Sequence, residues 1–178
     1  MSYYREQLES WLKQLDVKAD VVYDIGGGQG NVKNRVKSWD VEEYKVLDLP
    51  TYNLEDYWWL LIDGDQADII FSLEVFEYLI DPVTAMRNIE YILKPEGKAY
   101  ITFPLIYPAH NELHLDSLRY TETGVKRLVQ RAGLKVNKID YRVDKTNLLN
   151  TFYAADGMKR AKQYDHHDAT GFIVEIQR

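Results

Sequence analysis

Short apolar runs alternate with segments of helical spacing along most of this chain, which is the pattern of an α/β fold. Runs rich in Val, Ile and Tyr predict strands at 21–25, 44–48, 68–73, 99–103 and 135–142. A last strand at 171–176 is expected to enter the sheet antiparallel. Predicted helices cover 3–15, about 30–38, the segment carrying Met86, Ile89 and Ile92, and the segment from the N-cap Thr121 to about Arg131.

The first strand runs into a glycine-rich turn, and an acidic residue ends the next strand. Residues 21–30 read Val-Val-Tyr-Asp-Ile-Gly-Gly-Gly-Gln-Gly. Glycine has no Cβ, so backbone at such a turn can come very close to a ligand. Asp48 follows about 20 residues later, where nucleotide-binding α/β folds hold ribose hydroxyls. Together these features predict a nucleoside-containing cofactor.

The spacing of the glycines indicates which cofactor. A dinucleotide site needs G-x-G-x-x-G, and frames starting at Gly26 and Gly28 put Asn31 and Lys33 in the third glycine position. The spacing that fits is D-x-G-x-G-x-G, formed by Asp24, Gly26, Gly28 and Gly30. This motif resembles the first motif of the class I S-adenosylmethionine-dependent methyltransferases.

The resemblance continues downstream. Residues 68–82 are similar to the family's F-D-x-x-x-S-x-E-V-x-E-H-x-x-D-P segment, with Ala67 in place of the usual Phe and Tyr78 in place of the common His. Residues 94–98 resemble the turn written L-K-P-G-G, and the stretch 104–134 resembles a subgroup pattern, P-x-x-x-P-x-H followed by R-Y/F-T-x-x-G-x-x-x-L-x-x-A-G-F. The similarity spans residues 20–142 and is of the methyltransferase type 11 kind.

The resemblance implies a Rossmann-like, doubly wound, mostly parallel sheet that binds S-adenosyl-L-methionine. Asp48 would hold the ribose hydroxyls, and the backbone of Gly26, Gly28 and Gly30 would make room for the amino-acid portion of the cofactor. Asp24 would orient the glycine turn or reach the cofactor's ammonium group through water. The segment Ser72, Leu73 and Glu74 would offer backbone contacts to the same end of the cofactor.

The segment between Asp48 and Asp68 departs from the family. Class I enzymes fit a helix and a third strand there, but connections alone take about 2–6 residues each, so an element must be shortened or lost. Asn53 is the best candidate for the polar group beside adenine, since its carbonyl can accept from an amine. Asp56 and Asp65 are rivals. Trp58 and Trp59 either cover the adenine face or belong to the core.

Candidate acceptor-side residues follow the strand at 99–103. His110 is the catalytic candidate, because a histidine of near-neutral pKa suits a general base; its alternative is a structural hydrogen bond. Arg119 and Tyr120 can bind an anionic or hydroxyl-bearing substrate, or else fasten the loop to the next helix. The remaining candidates for substrate contact are Tyr107 and His114.

The chain between residues 144 and 170 is expected to hang over the cleft, because the preceding strand ends at the ligand-binding edge. We interpret it as a lid with a short helix near 154–163; the alternative is a hairpin extension packed on the sheet. The run Asp165-His166-His167-Asp168 is expected to be a solvated turn rather than a metal site, because adjacent histidines point in different directions.

Composition limits the function. A chain of 178 residues fits one domain, with residues 1–18 as an N-terminal helical segment. There are no cysteines, no membrane-spanning run and no visible secretory signal, so we expect a cytoplasmic location. A net charge of −6 argues against a nucleic-acid partner. The basic residues Lys33, Arg35 and Lys37 are expected to form a solvated helix face.

Three functions remain open at this point. The leading hypothesis is methyl transfer to an oxygen or nitrogen of a small-molecule or sugar-type acceptor. The shortened middle segment leaves room for a second, a non-catalytic cofactor-binding or interaction module. Methylation of nucleic acid or protein is the third, and the acidic balance of the chain counts against it.

Overall fold

The computed structural model of the chain describes residues 2–28, 31–56, 66–109, 116–158 and 165–178. The helices are α1 (Tyr3–Leu12), α2 (Pro82–Ile92), α3 (Glu122–Arg131) and α4 (Leu148–Ala155). The strands are β1 (Asp16–Ile25), β2 (Ser38–Leu47), β3 (Ala67–Ser72), β4 (Leu93–Pro104), β5 (Lys135–Val143) and β6 (Ala169–Gln177). Short 3-10 helices lie at Val32–Asn34 and Phe76–Tyr78.

The strands form one mixed sheet in the order β2-β1-β3-β4-β6-β5. Strands β1 to β4 are parallel, and β6 lies antiparallel between β4 and β5. The prediction of a mostly parallel sheet with an antiparallel last strand is therefore confirmed. Because β5 runs in the same direction as β4, the carboxyl ends of β1 to β5 meet at one edge, where ligands bind in such sheets.

Helices cover both faces of the sheet. Successive strand residues point to opposite faces, so Val22 packs under α1 whereas Tyr23 packs under α2 and α3. Leu8 and Leu12 of α1 contribute the helical side chains of the first layer. The second layer takes its helical side chains from α2 and α3: Ala85, Met86, Ile89, Ile92, Val125, Leu128 and Val129.

The predicted limits of α3 are confirmed by its caps. The Thr121 hydroxyl accepts a hydrogen bond from the Gly124 amide at 3.1 Å, which satisfies an amide of the first turn. At the other end Gly133 adopts φ +86°, a left-handed conformation that ends helices.

The predicted helix at 30–38 is wrong. The described residues there form only the 3-10 helix at Val32–Asn34, and β2 begins at Ser38, which lies opposite Asp16 at the start of β1. The segment is mostly polar, and Val32 is the fully buried side chain it offers to the core, so a longer helix would have little to bury. Helix α1 covers this face instead, and Glu9 of α1 pairs with Arg35 at 2.7 Å.

Other boundaries also differ from the predictions. Strands β1, β2 and β4 start earlier, because their first residues mix apolar with charged residues and do not form a continuous apolar run. The predicted turn at 94–98 lies within β4 as a bulge, since Ala67 pairs with Leu93 and Ile69 with Lys98. Helix α1 ends at Leu12 rather than at residue 15, and α4 covers Leu148–Ala155 rather than 154–163.

No strand lies between β2 and β3 in the described part of residues 48–66. The loop after β2 is held by α2, where the buried Asn88 side chain donates to the carbonyl oxygens of Leu54 and Asp56 at 2.8 Å each. Trp58, Trp59 and Asp65 lie outside the described residues. Among the helices described, none has both the length and the apolar character needed to cross a membrane.

We expect Asn88→Leu to lower the free energy of unfolding by about 1–3 kcal/mol, because it removes the donor to two loop carbonyls. Chemical denaturation would measure the change. Asn137→Leu is the matched control, since Asn137 is exposed on β5 and its amide donates to the Glu175 side chain rather than to loop carbonyls. Equal effects of the two substitutions would show that Asn88 does not hold the loop.

Candidate cofactor and acceptor site

The glycine turn after β1 is closely packed on its surroundings. The Gly26 amide donates to the Leu47 carbonyl at 2.8 Å, which ties the turn to the end of β2. Gly26 adopts φ +76°, and a Cβ at this position would overlap Cγ2 of Val75. The turn therefore needs glycine both for its backbone conformation and for its contact with the segment after β3.

Asp24 lies beneath the turn and holds its two ends together. Its side chain is buried, with 3% of the residue exposed, and its Oδ2 accepts from the Val32 amide at 2.9 Å and from the Tyr44 hydroxyl at 2.5 Å. A Cβ on Gly27 would overlap the same carboxyl group. Burial raises the pKa of Asp24, and the hydrogen bonds from Tyr44 and Val32 oppose that shift. These contacts fit a role in orienting the turn.

Asp48 closes the turn from the side of β2. Its Oδ2 accepts from the Gly28 amide and its Oδ1 from the Leu49 amide, both at 2.8 Å. A carboxylate offers about four lone-pair sites, so these two bonds leave capacity for hydroxyl donors from a ligand. Gly28 has no room for a Cβ beside this carboxylate. Gly30 lies outside the described residues.

Asn53 lies in the loop that follows β2. Its side chain is half-buried, and its Oδ1 accepts from the Glu55 amide at 3.1 Å, so one lone pair of this oxygen is already used locally. Glu55 in turn accepts from the Ile80 amide at 2.7 Å, which joins this loop to the start of α2.

The segment Ser72, Leu73 and Glu74 ends β3 at the same edge of the sheet. The Ser72 hydroxyl is buried and has no hydrogen-bond partner among the described residues. Glu74 adopts φ +59°, its amide donates to Thr102 Oγ1 at 2.7 Å, and its Oε1 accepts from Arg142 Nη2 at 2.6 Å. This segment thus presents polar groups beside the glycine turn.

These observations fit a nucleoside cofactor with a polar tail. The glycine turn leaves its backbone uncovered by side chains of its own, and Asp48 keeps acceptor capacity beside it. The orphaned hydroxyl of Ser72 adds a buried polar group at the same edge. The residues present are therefore suited to S-adenosylmethionine.

Arg119 and Tyr120, which were predicted to contact the acceptor or to fasten the loop, both bond to neighbouring backbone. Arg119 donates to the carbonyl of Tyr107, at 3.2 Å from Nε and 3.1 Å from Nη2, and to Asp116 Oδ2 at 2.8 Å. The buried hydroxyl of Tyr120 donates to the Phe76 carbonyl at 2.7 Å. This is the geometry expected of residues that join a loop to the next helix. His110 and His114 lie outside the described residues.

The run at 165–168 forms a turn that contacts the sheet. The ring of His166 stacks on Tyr141, with ring centroids 3.5 Å apart. The residue adopts φ +53° within this turn.

A polar cluster that was not predicted from the sequence is formed by Tyr4, Glu77 and Arg142, which are buried, and by Glu74, whose side chain is 36% exposed. The Arg142 side chain is 0% exposed and its guanidinium lies 4.1 Å from the ring centroid of Tyr4. Glu77 is 3% exposed. Burial raises the pKa of Glu77 to about 7, Glu74 adds to the rise, and Arg142 opposes it. No local signal in the sequence indicates this burial, because Arg142 alternates along β5 with Ile139 and Tyr141, which pack on the core, and lies on the same side as Asp140.

We expect Gly26→Ala to destabilise the protein more than Gly133→Ala. Both residues have positive φ, which costs a non-glycine residue about 1–2 kcal/mol. Nothing lies within 4 Å of a Cβ at Gly133, whereas at Gly26 it would overlap Val75. Urea denaturation of both variants checks this, and equal losses would contradict the packing described for the turn.

We expect Glu77→Gln to make stability less sensitive to pH. The folded pKa of Glu77, about 7, lies above its ordinary value of 4.5, so the free energy of unfolding falls as pH rises through this window. The variant should match the wild type near pH 4 and exceed its stability by up to about 3 kcal/mol at pH 8. Glu96→Gln, at an exposed site, is the control. A constant difference between wild type and variant from pH 4 to 8 would contradict the buried-carboxyl assignment.

Comparison with known proteins agrees with this arrangement. Residues 23–101 match the family described as methyltransferase domain. That segment contains the glycine turn, Asp48 and the segment after β3. No curated protein sequence matches the chain significantly.

Solved structures share the fold over nearly the whole chain. The mitomycin 7-O-methyltransferase MmcR is 18% identical with a TM-score of 0.59, and the match covers 98% of this chain and 53% of MmcR. An S-adenosylmethionine-dependent methyltransferase from Mesorhizobium loti is 12% identical with a TM-score of 0.58, covering 99% and 98%. The [4+2]-cyclase SpnF is 14% identical with a TM-score of 0.59, covering 97% and 80%.

The chain thus spans about half the length of the mitomycin methyltransferase that it resembles. At these identities the likeness shows the fold, and the matched segment contains the glycine turn and Asp48. In its fold and in the matched segment, the chain therefore resembles the class I S-adenosylmethionine-dependent methyltransferases.

Proposed function

We propose that the chain transfers a methyl group from S-adenosylmethionine to an oxygen or nitrogen of a small-molecule acceptor. The observation that carries this proposal is the closure of the glycine turn by the Asp48 carboxylate, which accepts from the Gly28 amide at 2.8 Å. This hydrogen bond places the Asp48 carboxylate, which can accept further hydrogen bonds, beside the backbone of the glycine turn, which carries no side chains.

The cofactor would be held by three groups of residues. Asp48 would accept from the ribose hydroxyls, and the backbone of Gly26, Gly28 and Gly30 would lie against the amino-acid portion. Ser72, Leu73 and Glu74 would contact the same portion from the end of β3, and Asn53 would lie on the adenine side. When bound, S-adenosylmethionine would supply a methyl group activated by its sulfonium, which the acceptor oxygen or nitrogen would attack in line as the bond to sulfur breaks and S-adenosylhomocysteine leaves.

The acceptor would lie beyond the ends of β3, β4 and β5. Because the methyl group is already activated, the protein has to hold the acceptor in line and exclude water. A hydroxyl acceptor also releases a proton, and we propose His110 as the base that takes it, with Tyr107 and His114 contacting the acceptor. Arg119 and Tyr120 would shape this region through the backbone contacts they already make.

A small acceptor is favoured over nucleic acid by the charge of the chain, which is −6. The mitomycin 7-O-methyltransferase, whose fold this chain shares, supports a small-molecule acceptor by analogy. The segment 144–170, which contains α4, would cover the acceptor as a lid.

A non-catalytic or differently catalytic role is the second candidate. The [4+2]-cyclase SpnF shares the fold, so the fold does not itself determine methyl transfer. The described residues also lack the helix that was expected after the glycine turn. Binding of S-adenosylmethionine without methyl transfer to any acceptor in a broad screen would favour this second candidate.

We expect Asp48→Asn to weaken S-adenosylmethionine and S-adenosylhomocysteine binding by about 10–100-fold, because charge-assisted hydrogen bonds contribute about 1.5–3 kcal/mol. Calorimetric titration measures this, with NAD as a ligand that should not bind. Asp40→Asn is the matched control, since Asp40 lies on β2, the strand that Asp48 follows, and its side chain is 76% exposed.

Wild-type affinity in Asp48→Asn would contradict the assignment of Asp48. A folded wild type that binds neither S-adenosylmethionine nor S-adenosylhomocysteine would overturn the proposed function itself. Binding of NAD in their place would show that the site takes a dinucleotide.

A further inference from the structure

The buried cluster at the ends of β3 and β5 contains more hydrogen-bonding capacity than the described residues use. Arg142 is 0% exposed, and of its three guanidinium nitrogens Nη2 bonds to Glu74. Nε and Nη1 are buried and have no hydrogen-bond partner among the described residues. An arginine is charged at any relevant pH, so buried N–H groups of this kind require an acceptor.

The structure holds Arg142 in place with a residue in an unfavourable conformation. Glu74 adopts φ +59°, which is uncommon for a residue with a side chain and clusters at functional sites. Its amide bonds to Thr102 Oγ1 at 2.7 Å, and its carboxylate meets Arg142 at 2.6 Å. Glu74 therefore fixes one side of the guanidinium and leaves the other nitrogens for a further ligand.

The walls of the cluster are aromatic and polar. The Tyr4 ring covers the guanidinium, and its buried hydroxyl has no partner among the described residues. Gly171 of β6 makes the space for this ring, because a Cβ there would lie 2.5 Å from the Tyr4 hydroxyl oxygen. Glu77 contributes Oε2, a further buried oxygen without a partner in the described part of the chain.

The cluster also adjoins the proposed cofactor site. Val75, which follows Glu74 in the chain, packs against Gly26 of the glycine turn. Glu74 itself belongs to the segment after β3 that we assign to the cofactor. A group bound by Arg142 would therefore lie on the acceptor side of that segment.

We propose that Arg142, covered by Tyr4 and fixed by Glu74, binds a carboxylate group of the methyl acceptor. The acceptor would then be a small organic acid. This inference rests on the proposed function, since it names the acceptor class of the same site. A carboxylate supplies the oxygen acceptors that Nε and Nη1 need, and charge-assisted bonds of this type are the strong ones. Protonated Glu77 and the Tyr4 hydroxyl can donate to the same group.

The test observes Arg142 directly by NMR, through its side-chain Nε–H resonance. The full chain, saturated with S-adenosylhomocysteine, is titrated with acetate, malonate, succinate and benzoate, and separately with the corresponding amides. We expect at least one acid to shift the Arg142 resonance and raise the melting temperature, whereas its amide does neither. Inorganic phosphate and chloride at equal ionic strength control for nonspecific anion binding.

Variants separate binding from folding. Replacing the ion pair as a unit, with Glu74→Gln and Arg142→Gln together, avoids leaving one charge buried alone. This double variant should lose at least tenfold in affinity for the acid. Tyr4→Phe keeps the ring, so a smaller loss there would measure the hydroxyl alone. Arg127→Gln, at an exposed position on α3, should bind as the wild type does.

Three outcomes would overturn the proposal. The first is that no acid shifts the Arg142 resonance at tens of millimolar, and the second is that phosphate or the amides act as strongly as the acids. The third is that the folded double variant keeps wild-type affinity for the acid. Each is distinct from failure of the proposed function, because S-adenosylhomocysteine binding is measured in the same samples. Acid binding by a protein that does not bind S-adenosylhomocysteine would support the anion site and remove its assignment to a methyl acceptor.

Discussion

The hydrogen bonds to buried Asp24 are the contact on which the ligand-binding edge depends. Parallel strands need a crossover of about a dozen residues or more, usually with a helix, and the residues described between β1 and β2 contain a short 3-10 helix and no α-helix. Asp24 fixes the position of this crossover, because its carboxylate accepts hydrogen bonds from the Val32 amide in the crossover and from the Tyr44 hydroxyl in β2. The glycine turn above it is thereby held without helical support, and Asp48 can meet Gly28.

Residues that are far apart in the sequence lie together at the same edge of the sheet. Gly26 packs against Val75, Glu74 pairs with Arg142, and Tyr4 of the first helix covers that arginine. The antiparallel β6 makes this possible because it lies between β4 and β5 and contributes Gly171, where a side chain would collide with Tyr4. One local substitution at this edge therefore reaches both the cofactor and acceptor sides.

Sequence patterns predicted the elements whose signal is local. The caps Thr121 and Gly133 and the mostly parallel sheet with its antiparallel last strand were predictable because each depends on neighbouring residues or on a periodic apolar face. The prediction of a helix at 30–38 was wrong because α1 covers this face instead, and that arrangement is decided by packing between segments distant in the chain. Arg142 was missed for the same reason: its partner Glu74 comes from another strand end, and no spacing along the chain reports that pairing.

Buried polar groups without partners are concentrated at this edge, and this distribution has a physical meaning. Ser72, Glu77 and Arg142 each bury a polar atom that no described residue satisfies, and Glu74 adds an unfavourable backbone conformation. Each such feature destabilises the fold by an amount on the order of 1–3 kcal/mol. A core of apolar residues at the same positions would be more stable, so the fold tolerates a cost that a bound ligand can offset. If Arg142 binds the acceptor as proposed, part of the stability lost in the free protein would be recovered as binding free energy.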